Sequence, residues 1–262
     1  RVPRHVRGKL TEIGKDPDRY GLTLVPTKSG AMWHTDDDAR IWRLYIFVEG
    51  TIAYDVVDSE AVAREGGKAF GDFQRLLSDL PGEPLFETIP DFHNMEKRLD
   101  AFRETARIDR VHRLPSVRDE VVFVENRTED MTVLQRLGRQ GKLRNRITHN
   151  DTKINNVLFD STTLEATCVI DLDTVMPGYV LFDFGDSIRT ATNTGAEDEQ
   201  DLSKVSINTA LFEAYTAGYL SQSASFLSET EVAYLAESSK IMTFIIGLRF
   251  LTDYLDGDRY FR

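Results

Sequence analysis

Two short β-rich runs, "NVLFD" (156–160) and "EATCVIDL" (165–172), stand in an otherwise largely helical stretch with only "STTL" between them. Runs of this kind separated by so short a polar segment read as a hairpin. Antiparallel strands joined by a tight turn bring their outer ends together. Asn156, which enters the first strand, and Asp171, which leaves the second, therefore become neighbours. An amide oxygen and a carboxylate oxygen are the hard donors that Mg²⁺ accepts in its near-octahedral shell. The pairing thus demands a strand pair set among helices, with an oxygen-donor site at its open end.

The residues just upstream add chemistry to that end. In "ITHNDTKINNVLFD" (147–160), His149, Asp151 and Asn156 have the spacing His-x-Asp-x-x-x-x-Asn. Kinase catalytic loops have this form: the Asp accepts the proton of the attacking hydroxyl and the Asn holds a metal ion. Lys153 lies where a mobile cation reaches a phosphoryl group in transfer. His149 reads as a buried, hydrogen-bonded anchor for the loop. Taken alone, "HND" is also a turn capped by Asn and Asp side chains, and the following hairpin is what favours the catalytic reading.

Among the later acids, Asp171 takes the metal role. Asp173 reads as an outer or solvated residue. Asp183-Phe184-Gly185 carries the letters of the magnesium-binding triplet of protein kinases, yet it follows no hairpin. Asp183 instead reads as a brace for the catalytic loop through backbone amides, and Asp186 is left open. The competing reading of the whole acid group is a solvated loop face.

Residues 4–15 read as a short basic helix stopped at Gly14. "GLTLVPT" and "IWRLYIFVEG" read as two strands, with "KSGAMWHTDDDA" as the hairpin between them. A connector follows near 46–56. From residue 59 the period becomes helical, with Val62, Phe70, Phe73, Leu76 and Leu77 on one stripe and Met95, Leu99, Phe102 and Ile108 on the next. A third helical segment spans roughly 116–139. Ser228 and Glu231 open the last long helical segment at capping-box spacing. The sequence divides into a strand-rich 1–50 and a helical 51–262 with the embedded hairpin, an α+β chain.

The net charge of −11 argues against nucleic acid or an anionic membrane surface as partner. No run approaches the ~20 apolar residues of a membrane span. The single cysteine, Cys168, excludes an internal disulfide, reads as buried packing, and agrees with a reducing, cytoplasmic location. Oligomeric state is not legible.

"THNDTKINNVLFD" followed by "VIDLDTVMPGYVLFDFGDSIR" resembles the aminoglycoside phosphotransferase and choline kinase superfamily, and within it the N-acetylhexosamine 1-kinases. The likeness extends to "WRLYIFVEGT", similar to the hinge strand, and to "GLRFLTDYLDGDRYF", similar to the C-terminal sugar-site segment. The resemblance implies a protein-kinase-like two-lobe fold, with an incomplete strand-rich N-lobe and a mostly helical C-lobe carrying the catalytic hairpin. It implies ATP and Mg²⁺ as cofactors and an N-acetylhexosamine as the acceptor, phosphorylated at its anomeric hydroxyl. By the same resemblance, Asp151 is the base and Asn156 and Asp171 hold magnesium. Backbone groups around Ile46 and Val48 pair with adenine, and Arg249 and Tyr260 touch the sugar. Arg249 has a second reading, a surface cation paired with Asp253 at i,i+4; Tyr260 has another, an exposed residue near the end of the chain.

The first 45 residues contain neither a glycine-rich phosphate loop nor a strand lysine, and "RVPRHVRGKL" opens without an initiating Met. Both point to an absent upstream segment; a true lack of it implies an inactive pseudokinase-like binding module. Within the kinase class, choline, homoserine and aminoglycosides are the alternative acceptors. A metal hydrolase is disfavoured because the five histidines are scattered.

Overall fold

The computed structural model describes residues 1–195 and 199–261. In chain order the elements begin with helices α1 (Val2–Glu12) and α2 (Pro17–Tyr20) and the short strands β1 (His34–Thr35), β2 (Ile41–Trp42) and β3 (Thr51–Ile52). Helices α3 (Glu60–Leu77), α4 (Met95–Ile108), α5 (Arg118–Glu125), α6 (Thr128–Met131) and α7 (Val133–Arg139) follow. Then come strands β4 (Arg146–Thr148), β5 (Val157–Asp160), β6 (Ala166–Val169) and β7 (Met176–Gly178). Helices α8 (Val180–Ala191), α9 (Thr209–Ser223), α10 (Glu229–Ala233) and α11 (Leu235–Asp256) complete the chain. No helix among the described residues is long and apolar enough to cross a membrane.

Packing separates two compact units, one of 1–84, 151–173 and 190–227, the other of 85–150, 174–189 and 228–262. They do not coincide with the division at residue 50, which follows composition and not contact. In the first unit, β5 and β6 form the expected hairpin, with Val157 opposite Val169 and Leu158 opposite Cys168. The Asp160 carboxylate closes its turn by accepting the N–H groups of Thr162 and Thr163, at 2.8 and 2.9 Å. Thr51 and Ile52, read as connector, instead pair with Asp160 and Phe159 as a third strand; both are β-branched and suit that pleat. Cys168 is buried, and burial pushes its thiol up to about 12.

The hairpin expected within residues 21–50 is present but sparse. Leu24 bridges Tyr45, flanked by Val25 N–H to Leu44 and Ile46 N–H to Thr23. A separate two-residue ladder pairs β1, inside the stretch read as its loop, with β2, at the start of the expected second strand.

Helix α3 buries the expected stripe, and it meets α9 backbone to backbone. A Cβ on Gly67 would stand 2.2 Å from the Tyr215 carbonyl oxygen, and one on Gly218 would stand 2.0 Å from that of Arg64. Glycine costs a helix interior about 1 kcal/mol relative to alanine. Here the missing side chain is what permits the close crossing.

In the second unit, α4 buries Met95, Leu99 and Phe102 against α11, while Ile108, at the end of its helix, is exposed. The segment expected as one helix over 116–139 is broken into α5, α6 and α7. The breaks fall at Arg127, between the weak helix formers Asn126 and Thr128, and at Thr132, itself a weak helix former, with φ −90° and ψ 5°. The capping box is present: Ser228 Oγ accepts the Glu231 N–H, and Glu231 Oε2 accepts the Ser228 N–H at 2.7 Å. The same carboxylate takes a bidentate pair from Arg146 at 2.9 Å, tying the head of β4 to α10. Burial pulls the Glu231 pKa up, but Arg146 and the Ser228 N–H together pull harder, leaving it below the ordinary carboxylate value.

Two measurements check these contacts. Gly67→Ala should destabilise by about 2 kcal/mol in urea unfolding, the usual cost of overpacking. Gly247→Ala, in α11 with nothing near its Cβ position, should stabilise by about 0.5–1 kcal/mol. Because the folded-state pKa of Glu231 is depressed, its contribution is present above the normal carboxylate range and lost as pH falls through it. The melting-temperature gap between wild type and Glu231→Gln should therefore be widest near neutrality and shrink below about pH 4.

Candidate active site

Strand β4 delivers the chain to a turn that no ordinary residue adopts for free. Asn150 has φ +67°, the left-handed region that Asn tolerates better than most residues. Every polar group of this residue is held. Its N–H, with that of His149, donates to the two oxygens of Asp183, each at 2.8 Å. Its side-chain amide donates to the carbonyls of Thr148 and Thr174, at 3.2 and 2.9 Å. Its own carbonyl accepts from His93 Nε2 at 3.2 Å. Thr174 Oγ1 donates to the His149 carbonyl at 2.6 Å, and His149 is buried.

The triplet 183–185 is thereby accounted for within the second unit. Asp183 sits in the first turn of α8 and braces the loop, as the sequence led us to expect; a helix N-terminus also favours its charge. Phe184 is a fully buried core residue. Gly185 lets α8 approach α11, since a Cβ there would stand 2.4 Å from the Ser238 carbonyl oxygen. Asp186, left open by the sequence, is buried and pairs with Arg189 at 2.9 Å.

The first unit takes up the chain at Asp151. Asn156 Nδ2 donates to the Asp151 carbonyl at 2.9 Å and to its carboxylate at 3.2 Å. Lys153 Nζ lies 3.9 Å from that carboxylate. The Ile170 N–H donates to the Asn156 carbonyl at 2.9 Å, so Asp171 is the next residue beyond the strand pair. Asp171 itself has φ +56° and is exposed. The strand alternation ends there, and Asp173 is exposed as expected, paired with Arg43.

The donor set has the chemistry of a hard-cation site. Asn156, whose amide nitrogen contacts Asp151, carries an amide oxygen, and the exposed Asp171 adds a carboxylate. No group of three or more His, Cys, Asp or Glu among the described residues is arranged to hold a metal. A divalent ion here would therefore complete its shell with phosphate and water oxygens.

The remaining expected residues are placed as follows. Ile46 is exposed, and its N–H is given to Thr23. Val48 is buried, and its carbonyl accepts Thr51 Oγ1 at 2.7 Å. In the second unit, Arg249 and Tyr260 come together: the guanidinium lies 5.6 Å from the Tyr260 ring, 5.7 Å from Phe92 and 5.5 Å from Phe261. Asp253 arranges this. Its carboxylate accepts the N–H groups of Arg259, Tyr260 and Phe261 at 2.8–2.9 Å and folds the terminal turn back. The i,i+4 pairing proposed for Arg249 is thus not what occupies Asp253.

Two residues of this region carry no sequence signal. Arg98 donates to the Phe92 carbonyl at 3.0 Å, and its pKa is lowered first by burial and then by Arg249. His93, in "DFHNM", is far from the loop in sequence.

The comparisons with known proteins follow this geometry. A family model described as "Phosphotransferase enzyme family" matches residues 16–224. Among solved structures, the chain is similar to a microcompartment-associated aminopropanol kinase, with TM-score 0.50 and 16% identity over 98% of this chain and 79% of that one. It is similar to a spectinomycin phosphotransferase complexed with ADP and spectinomycin, with TM-score 0.54 and 10% identity over 99% and 76%. A choline kinase from Cryptosporidium parvum Iowa II gives TM-score 0.52 and 16% identity over 96% and 71%. At such identities the likeness is one of fold, α+β and protein-kinase-like. Together with the match over most of its length, it leads to one conclusion: the chain belongs to the phosphotransferase enzyme family.

Proposed function

We propose that the protein is an ATP- and Mg²⁺-dependent small-molecule kinase that phosphorylates the anomeric hydroxyl of an N-acetylhexosamine. The observation that carries this reading is the hold on the catalytic loop, in which Asn156 grips Asp151 while Asp171 follows the strand pair. Asp151 orients the acceptor hydroxyl and takes its proton as the phosphoryl group departs from ATP. Lys153 is near enough to meet negative charge developing on that group. Asn156 and Asp171 would hold Mg²⁺, which supplies neutralisation of charge on the β- and γ-phosphates.

Adenine fits the stretch 46–48 by elimination of what is already bonded. The Ile46 carbonyl and the Val48 N–H are not engaged among the described residues. One accepts and one donates, as adenine's amino group and ring nitrogen require.

The acceptor is argued from charge. An aromatic cluster often receives a cationic ligand such as choline. Here a guanidinium of the protein already faces the rings of Phe92, Tyr260 and Phe261, with Arg98 close by. A quaternary ammonium or polyamine acceptor would be repelled there. A neutral sugar would meet ring faces for its C–H edges and fork-shaped donors for its hydroxyls.

An acceptor screen of the full-length protein with MgATP, covering N-acetylglucosamine, N-acetylgalactosamine, choline, homoserine and aminoglycosides, tests this directly. Turnover confined to the N-acetylhexosamines is expected; preference for choline or an aminoglycoside would sink the sugar reading. Asp151→Asn should lower kcat by about 10²–10⁴-fold with an unchanged melting curve, and a variant retaining full rate removes Asp151 as base. Asp171→Asn should raise the Mg²⁺ concentration for half-maximal rate by about tenfold or more. An unaltered Mg²⁺ titration removes Asp171 from the metal site.

A further inference from the structure

His93 lies outside every motif of the sequence, yet it is built into the loop that ends at the proposed base. It is buried beneath the surface, with its ring 4.4 Å from Phe92 and 5.3 Å from Phe182. Its backbone carbonyl accepts from Gln135 Nε2 at 3.0 Å, which fixes the residue from its main chain as well. Among the described residues, the polar partner of its ring is the Asn150 carbonyl, 3.2 Å from Nε2. A carbonyl oxygen only accepts, so Nε2 carries the proton. Burial, the largest influence, pulls the imidazole pKa down to about 4, so the ring is neutral under ordinary conditions.

The position of that oxygen is what gives the contact its meaning. The Asn150 carbonyl and the Asp151 N–H belong to one rigid peptide plane. The other bonds of Asn150 hold its N–H and its side chain. Asn156 holds the far side of Asp151 through its carbonyl and carboxylate. The His93 bond holds the near side, and losing it would let rotation about the Asn150 ψ bond shift the plane and strain the aim of the carboxylate. That rotation is a real hazard, because Asn150 occupies a left-handed backbone region with a small energy well.

We propose that His93 is a positioning residue for phosphoryl transfer: its Nε2–H pins the peptide plane between Asn150 and Asp151 and thereby aims the base. The inference rests on the reading of Asp151 given above. It predicts a defect in the chemical step and not in nucleotide binding, since a misplacement of about 1 Å in a reacting group can cost on the order of a hundredfold in rate.

The test compares His93→Phe, which keeps ring volume among Phe92 and Phe182 but loses the donor, with His93→Gln, whose amide nitrogen replaces Nε2. Steady-state kinetics of the full-length protein with MgATP and N-acetylglucosamine would be read beside melting curves and beside Asp151→Asn. His93→Phe should lower kcat by about 10–100-fold with KM for ATP within about twofold, and His93→Gln should recover most of that loss. A His93→Phe protein with wild-type kcat, or a His93→Gln protein equally slow at the same melting temperature, overturns the inference. If His93→Phe fails to fold, Gln135→Met, which releases the His93 backbone, must lower kcat in the same direction, and an unchanged rate overturns it. Retained activity in Asp151→Asn would instead overturn the assignment of the base.

Discussion

The grip of the Asp183 carboxylate on the consecutive N–H groups of His149 and Asn150 is the constraint around which the candidate site is organised. Two charge-assisted hydrogen bonds accepted by a buried carboxylate are worth more than ordinary amide bonds. They offset a cost of order 1–2 kcal/mol for a non-glycine residue in the left-handed region. Removing the carboxylate would leave two buried N–H groups without acceptors, and neither could reach water. The acid lies at the N-terminal turn of α8, so the helix supplies both its rigid mounting and a favourable field. The left-handed turn that ends β4 thus depends on this one carboxylate.

Much of this was legible in the sequence because it rests on local rules. The hairpin follows from two β-rich runs and a short polar turn, and the capping box at Ser228 from one spacing. The bracing role of Asp183 followed from where the hairpin lies: an acid with no strand pair before it has no route to Asn156. What escaped notice depends on distant segments meeting. Nothing in "DFHNM" marks His93 as a partner of Asn150, since the bond joins backbone to side chain across 57 residues. Arg98 is one of many exposed-looking cations on a helix until Phe92 and Arg249 surround it. The strand at Thr51–Ile52 was missed because two residues make no period, and only pairing with β5 defines it. The helical segment expected over 116–139 is divided for the converse reason: local breaks at Arg127 and Thr132 interrupt it.

Helix α3 carries a further glycine whose influence reaches the loop. A side chain on Gly66 would stand 2.4 Å from Ile154 Cδ1, and Ile154 lies between Lys153 and Asn156. The proposed catalytic loop therefore seats the end of the Ile154 side chain on bare main chain of α3. A single added methyl there, harmless to the helix as such, would be felt first by the Ile154 side chain, which would have to move. Position 66 thus bears on the spacing of the loop without carrying any reactive group.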